Sequence, residues 1–292
     1  MNDHQPNTAN HFESGGNPDP DVPIPTRKAA APTVVQNPDF EILYWVGCAG
    51  SYDRRAQRVT RAFVKLLNAA DVNFAILGTE EKCTGDSARR LGDEFLFQEL
   101  AEANIATLNR YSVHRIVAHC PHCVNALVND YVQFGGQFEV LHHSVFLAQL
   151  IREGRLKIPG EIPESLLAGV TYHDPCYLAR VNGVHAEPRE VLNAALSPSS
   201  VGPAPAAVRE MPRCREKTSC CGAGGGRMWM EESPQERVST LRASEALQTG
   251  AQTVAVGCPF CLTMMTDGVA ANESQARVMD IAEILAERLG LI

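Results

Sequence analysis

The spacing of the cysteines constrains this chain more than any other feature. Cys83 and Cys221 stand 138 residues apart, and so do Cys120 and Cys258, and Cys123 and Cys261. Cys48 and Cys176 are 128 apart. The missing ten residues match a loop-like stretch in the second copy, Ser197-Pro198-Ser199-Ser200-Val201-Gly202-Pro203-Ala204-Pro205-Ala206. Unrelated cysteines would not hold one offset three times, so the chain is read as a tandem duplication in which each copy carries its own sulfur set. At the position matching Cys220 the first copy has Lys82. Cys214 has no counterpart and reads as a free thiol in a loop.

The pattern between the cysteines gives the fold class. Short apolar runs alternate with segments of helical period. In the first copy the strands are expected at 41–47, 74–78, 115–119 and 138–142. Helices are expected at 54–70, 94–109, through Leu127 and Tyr131, and at 145–152 with Ser144 as cap. In the second copy strands are expected at 169–173, weakly at 208–211, at 253–257 and at 277–279. Helices fall at 189–196, 235–248 and 280–289. Alternation of this kind predicts an α/β protein of two tandem pseudo-symmetric halves with largely parallel sheets. In both halves the cysteines fall just after strands, at the carboxyl ends where such sheets bind ligands. Residues 1–37, including His4 and His11, read as a disordered tail. The first cysteine-rich domain is expected at 38–155 and the second at 166–292, with a Pro-containing connection at 156–165 between them.

Composition excludes several function classes. Net charge is −8, which argues against nucleic acid as partner, since phosphate binding needs a basic surface. No apolar run has transmembrane length and no signal-peptide pattern opens the chain. A cytoplasmic location is expected. A chain of 292 residues that is 45% apolar does not need disulfide staples. Its ten cysteines therefore point to metal or redox chemistry.

Each half contains a C-P-x-C turn, Cys120-Pro121-His122-Cys123 and Cys258-Pro259-Phe260-Cys261. Alone, such a turn also fits a redox thiol pair, a zinc knuckle or inert core cysteines. Together with the repeated partners it reads as half of a metal site. The second set is Cys176, Cys220, Cys221, Cys258 and Cys261. Five thiolates exceed what one tetrahedral zinc uses and suit an iron–sulfur cluster better. The first set, Cys48, Cys83, Cys120 and Cys123, suits either a four-iron cubane or a closed zinc site. The run Gly222-Ala223-Gly224-Gly225-Gly226 lacks the Gly-Lys-Ser/Thr ending of a phosphate loop. It reads instead as close backbone packing around a cluster. His119 and His122 read as surface imidazoles or as supports behind the ligands. His142 and His143 also fall near the cysteine edge. His173 and Asp174 are candidates for delivering protons. Asp86, Arg89 and Arg90 read as a solvated first helical turn.

The run Cys220-Cys221-Gly222, with Cys176 upstream and Cys258-Pro259-Phe260-Cys261 downstream, resembles the cysteine-rich CCG domain. That domain typifies the catalytic subunit of heterodisulfide reductase and a broad family of iron–sulfur oxidoreductases. The resemblance covers about residues 40–292. Tyr172-His173-Asp174-Pro175-Cys176, Cys220 to Trp229 and Val256 to Met264 look like the carboxyl half of members fused to ferredoxin-type and membrane segments. Those relatives are implicated in passing electrons between electron-transfer flavoprotein and the quinone pool. The resemblance implies one or two 4Fe-4S clusters, with a noncubane cluster on the second set. Because Lys82 departs from the motif, it implies a cubane, zinc or an altered cluster on the first. A ferredoxin-type or membrane iron–sulfur subunit is the implied partner, with membrane contact only through it, at the inner face. The expected function is an iron–sulfur electron-transfer oxidoreductase subunit. A thiol/disulfide reductase acting on a small disulfide and a zinc-stabilised interaction protein remain as alternatives.

Overall fold

The structure, a computed structural model, describes residues 31–198, 208–233 and 236–292. In the first half β1 (Ile42–Trp45), β2 (Phe74–Ala75), β3 (Arg115–Ala118) and β4 (Glu139–His142) form one sheet in the order β2-β1-β3-β4, all parallel. Between them lie α1 (Gly47–Tyr52), α2 (Ala56–Ala69), α3 (Asp86–Leu91), α4 (Glu94–Arg110) and α5 (Pro121–Asn125). α6 (His143–Arg152) and the short α7 (Glu164–Leu167) lead into the second half. There β5 (Val170–Tyr172), β6 (Thr253–Val256) and β7 (Arg277–Asp280) form a second parallel sheet. It carries α8 (Ala186–Leu196), α9 (Val238–Leu247), α10 (Pro259–Ala271) and α11 (Ile281–Arg288).

Both faces of β1 are buried, as a parallel sheet requires. Ile42 and Tyr44 face a core that includes Val170, Tyr172 and Val254 of the second half, whereas Leu43 and Trp45 face a separate cluster with Phe97 and Leu108. The halves therefore share one core. They also exchange helices. α2 packs on α11 and α6 on α8, so the first long helix of each copy lies on a late helix of the other. Arg55 clamps this contact, meeting both carboxylate oxygens of Glu283 at 2.7 Å.

Several local expectations change. Residues 1–30 lie outside the described residues, but 31–37 are built into the fold. Thr33 bridges Ile76, and buried Val34 donates its N–H to Ile76 O at 3.0 Å. Residues 208–211 give only one parallel bridge, Thr171 with Arg209, at the sheet edge. The segment through Leu127 and Tyr131 is a widened helical turn followed by a tight one, after the five-residue α5. Ser144 is not the cap of α6. His142 is, with Nδ1 accepting from Ser144 N at 3.4 Å. The loop at 197–206 falls mostly outside the described residues, as does Gln235.

Candidate metal centre

Loop chemistry at the strand ends positions the sulfurs. Cys120 caps α5 and Cys258 caps α10, each followed by a proline at the first helical position, where a missing N–H costs nothing. The second cysteine of each turn then falls within the first helical turn. Cys48 follows β1 after Val46 and Gly47, and Cys176 follows β5 after His173, Asp174 and Pro175. The cysteines after β1 and β3 flank the point where the strand order reverses, the usual ligand position in such sheets.

The first set comes together as expected. Cys48 and Cys83 share a hydrogen bond, as do Cys120 and Cys123. In the second set contacts run from Cys176 to Cys220, Cys221, Cys261 and Cys258. The Sγ atoms of Cys221 and Cys261 are 3.3 Å apart. The two sets also influence each other electrostatically, through Cys120 and Cys258. Cys120, Cys123, Cys221, Cys258 and Cys261 are buried, Cys83, Cys176 and Cys220 half-buried and Cys48 exposed. Each set thus has a dry floor and one side toward solvent. Cys214 stays apart from both sets, half-buried, its thiol pushed up by burial.

In the first set Cys83 and Cys120 are favoured as thiolates at the expense of Cys48 and Cys123, and in the second set Cys220 alone is so favoured. The hydrogen bond from Cys48 leads in holding Cys83 down to about 6, and Cys48 is correspondingly raised. Hydrogen bonds from Cys176 and Cys221 lower Cys220, with Gly222 N donating to its Sγ at 3.2 Å. Cys221 is raised to about 12. Gly222 reaches this pose at φ +94°, and an added Cβ would stand 3.1 Å from Val238 Cβ. The glycine loop therefore supplies an N–H donor to a sulfur as well as room.

The loops are tied together differently in the two halves. The Glu81 carboxylate accepts from Val46 N at 3.0 Å and Gly47 N at 2.5 Å, joining the Cys83 loop to the Cys48 loop. Burial pushes Glu81 up to about 7 against those two donors. In the second half Thr218 Oγ1 donates to Asp174 O at 2.9 Å. Asp174 is fully buried and grips Arg189 through two bonds of 2.7 and 2.8 Å. That bidentate pair holds the strand end in place and leaves Asp174 no route to solvent, so the geometry gives it a structural role rather than proton delivery.

The histidines are buried, not superficial. His122 Nδ1 meets Asp86 Oδ2 at 2.8 Å, its ring stacks on Tyr177 at 4.2 Å, and it packs edge-on to Phe260 at 5.2 Å. Burial works to lower His122, but the hydrogen bond to Asp86 and the nearby negative charge of Cys120 and Asp86 together outweigh it, and the shift is upward. Asp86, expected in a solvated turn, is itself buried beneath this ring and also binds Arg90. Only its sequence neighbourhood of two arginines gave a signal, and that signal pointed to the surface. Behind the sulfurs, His119 Nδ1 contacts Tyr44 OH at 2.9 Å, His142 Nε2 reaches Gly257 O at 3.0 Å, and His143 Nε2 meets Asp280 Oδ1 at 2.8 Å. Burial holds His119 down to about 4 and His143 to about 3, and lifts Asp280 to about 6. A ring nitrogen of His173 lies within 4.8 Å of the sulfurs of Cys221 and Cys261. Its Nδ1 accepts from Arg242 Nε at 3.0 Å. Arg242, missed in the sequence, is buried and held by Glu245 at 2.7 Å.

The donor sets are chemically suited to iron and sulfide. Soft sulfurs crowd together with no carboxylate among the thiol contacts of the described residues, and the second set holds more sulfurs than a tetrahedral ion can use.

Comparison with known proteins agrees with this picture. Residues 42–128 and 170–266 each match the CCG cysteine-rich domain. The probable iron-sulfur-binding oxidoreductase FadF of Bacillus subtilis is 45% identical over 270 residues, 92% of this chain and 36% of that protein. The EtfAB:quinone oxidoreductase of Syntrophomonas wolfei is 45% identical over 85% of this chain and 34% of its own length. In Methanosarcina barkeri, one subunit of the dihydromethanophenazine:CoB–CoM heterodisulfide reductase is 34% identical over 86% of this chain and 59% of its own length. The chain thus spans about a third of the first two relatives.

Proposed function

The chain belongs to the CCG cysteine-rich domain family, and from that premise we propose that it is an iron–sulfur electron-transfer subunit of an oxidoreductase. The observation that carries the reading is the gathering of Cys176, Cys220, Cys221, Cys258 and Cys261, with the Sγ atoms of Cys221 and Cys261 3.3 Å apart. In this reading Cys176, Cys220, Cys221, Cys258 and Cys261 hold a noncubane 4Fe-4S cluster, and Cys48, Cys83, Cys120 and Cys123 hold a second cluster or zinc. A bound cluster would supply one-electron transfer. The protein's part is to keep five thiols converging on one space, to exclude water from the buried sulfurs, and to leave Cys176 and Cys220 half-open to a partner.

The partner would be a ferredoxin-type or membrane iron–sulfur subunit, linking electron-transfer flavoprotein to quinone. The support is the length of the relatives beyond this chain and the names they carry. No helix among the described residues is long and apolar enough to cross a membrane, so attachment to a membrane would go through that partner. Identity to part of a heterodisulfide reductase favours a second reading, reduction of a small disulfide at the open side.

The deciding test is iron, zinc and acid-labile sulfide on protein purified without oxygen. About four irons and four sulfides or more per chain are expected. One zinc beside them would fall to the first set. Zinc alone, with iron and sulfide supplied, overturns the reading. Turnover of a disulfide by the iron-loaded chain would favour the second reading.

A further inference from the structure

Two buried N–H groups stand unpaired beside the sulfur sets, at equivalent places in the duplication. His173 precedes Cys176 by three residues, and Trp45 precedes Cys48 by three. His173 is fully buried, and its Nε2 has no hydrogen-bond partner among the described residues. Trp45 is 1% exposed, and its Nε1 is likewise unpaired. A buried donor without an acceptor is destabilising, so two at matching positions call for a reason.

The tautomer of His173 follows from its other side. Arg242 Nε can only donate, and it donates to His173 Nδ1 at 3.0 Å. Nδ1 must therefore be the bare nitrogen. A doubly protonated ring would set two donors against each other. Neutral imidazole then carries its proton on Nε2, on a ring that has one of its nitrogens within 4.8 Å of the sulfurs of Cys221 and Cys261. A protonated nitrogen cannot ligate a metal; it can donate to sulfur. Tryptophan makes the same point in the first half, because its indole nitrogen is a donor only. A Cβ placed on Gly47 would lie 3.5 Å from Cys123 Sγ and 4.0 Å from Trp45 Cδ1, so indole edge and thiol line one small space.

We propose that His173 Nε2–H and Trp45 Nε1–H are paired hydrogen-bond donors to the sulfurs of the second and first sites, raising the reduction potential of whatever cluster each site holds. This rests on the electron-transfer reading for its consequence, though not for its geometry. Donation to sulfur stabilises the more negative, reduced state and moves the potential up.

The test compares wild type with His173→Leu, His173→Gln and Trp45→Phe, after iron, zinc and sulfide analysis of each. In iron-loaded protein, His173→Leu should make reduction about tenfold less favourable, ~59 mV for one electron. It should also abolish one exchangeable-proton coupling in the electron–nuclear spectra, and His173→Gln, which keeps a donor, should recover part of the shift. Full iron and sulfide with an unchanged potential overturns the proposal, and so does the nitrogen coupling of a directly bound imidazole. If His173→Leu fails to hold a cluster, Trp45→Phe decides by the same comparison at the first site. If wild type takes up zinc but no iron, the electron-transfer reading fails. The inference is then decided by 15N ring spectra of the zinc-loaded chain, where a proton on Nε2 alone upholds it and one on Nδ1 overturns it.

Discussion

The two halves have the same strand–loop–helix frame and fill it with different chemistry. Cys120 and Cys258 cap matching helices, yet the residue between the paired cysteines is His122 in one and Phe260 in the other, and these two rings pack on each other. His142 caps α6 where Asp280 caps α11, at the same 138-residue offset. The first half ties its loops with the Glu81 carboxyl group, the second with Thr218 and a buried Asp174–Arg189 pair. Lys82 is exposed where Cys220 is half-buried among the sulfurs of the second set. Backbone geometry was retained through the duplication because the shared core fixes it. Side chains at the sulfur edge were free to differ, because only the local contacts depend on them.

The comparison can be broken most sharply at Cys221. Cys221→Ser should remove the metal and visible signal of the second site and spare the first, read by metal analysis and spectroscopy. Equal loss at both would show that the sets, which influence each other through Cys120 and Cys258, form one centre.

Next in size is Arg189→Met. It strands a fully buried Asp174 with the Arg215 N–H as its remaining charge-compensating donor. Removing one partner of a buried pair costs about 3–5 kcal/mol, to be read from the urea midpoint. The mirror change Glu81→Gln should cost less, about 1–2 kcal/mol, because one amide oxygen still accepts.

A titration sharpens the contrast of His142 and His143 with Asp280. Burial holds both imidazoles neutral in the fold, His143 down to about 3 against an ordinary 6.5. Between those values the unfolded chain binds the extra protons, so stability rises with pH up to about 6.5 and is lost below. Asp280, lifted from 3.8 to about 6 by burial, acts oppositely in that window, since there the fold binds the extra proton. Two histidines against one acid leave a net rise. Asp280→Asn should steepen it in denaturation curves taken between pH 4 and 7, and a slope that flattens instead would refute this balance.

The smallest effect on stability belongs to Lys82→Cys, within about 0.5 kcal/mol because the side chain is exposed. Its value lies elsewhere. If the missing fifth sulfur is what separates the halves, this variant should change the iron content or spectrum of the first site.

Much of this was legible in the sequence. The cysteine offsets revealed the duplication because metal-type ligands must recur at fixed places in a repeated frame. Strong apolar runs such as Ile42–Trp45 and Thr253–Val256 read directly as buried parallel strands. What could not be read were roles set by partners distant in the chain. Asp86 looks solvated beside Arg89 and Arg90 until His122, 36 residues on, is packed over it. Arg242 looks like any helix arginine until His173, 69 residues earlier, is seen to accept from it. The helix Pro259–Ala271 escaped notice because it is apolar almost all round and shows no amphipathic stripe.

The crossing of helices between halves also sets a clock. α2, made among the first seventy residues, rests on α11, at 281–288, and Arg55 waits for Glu283. Until residues 281–288 have left the ribosome, the first half lacks part of its cover, and the shared apolar face stays open. The first four cysteines should then reach their final arrangement only after residues 281–288 are made. A cell that splits the gene near residue 160 would have to make both pieces together.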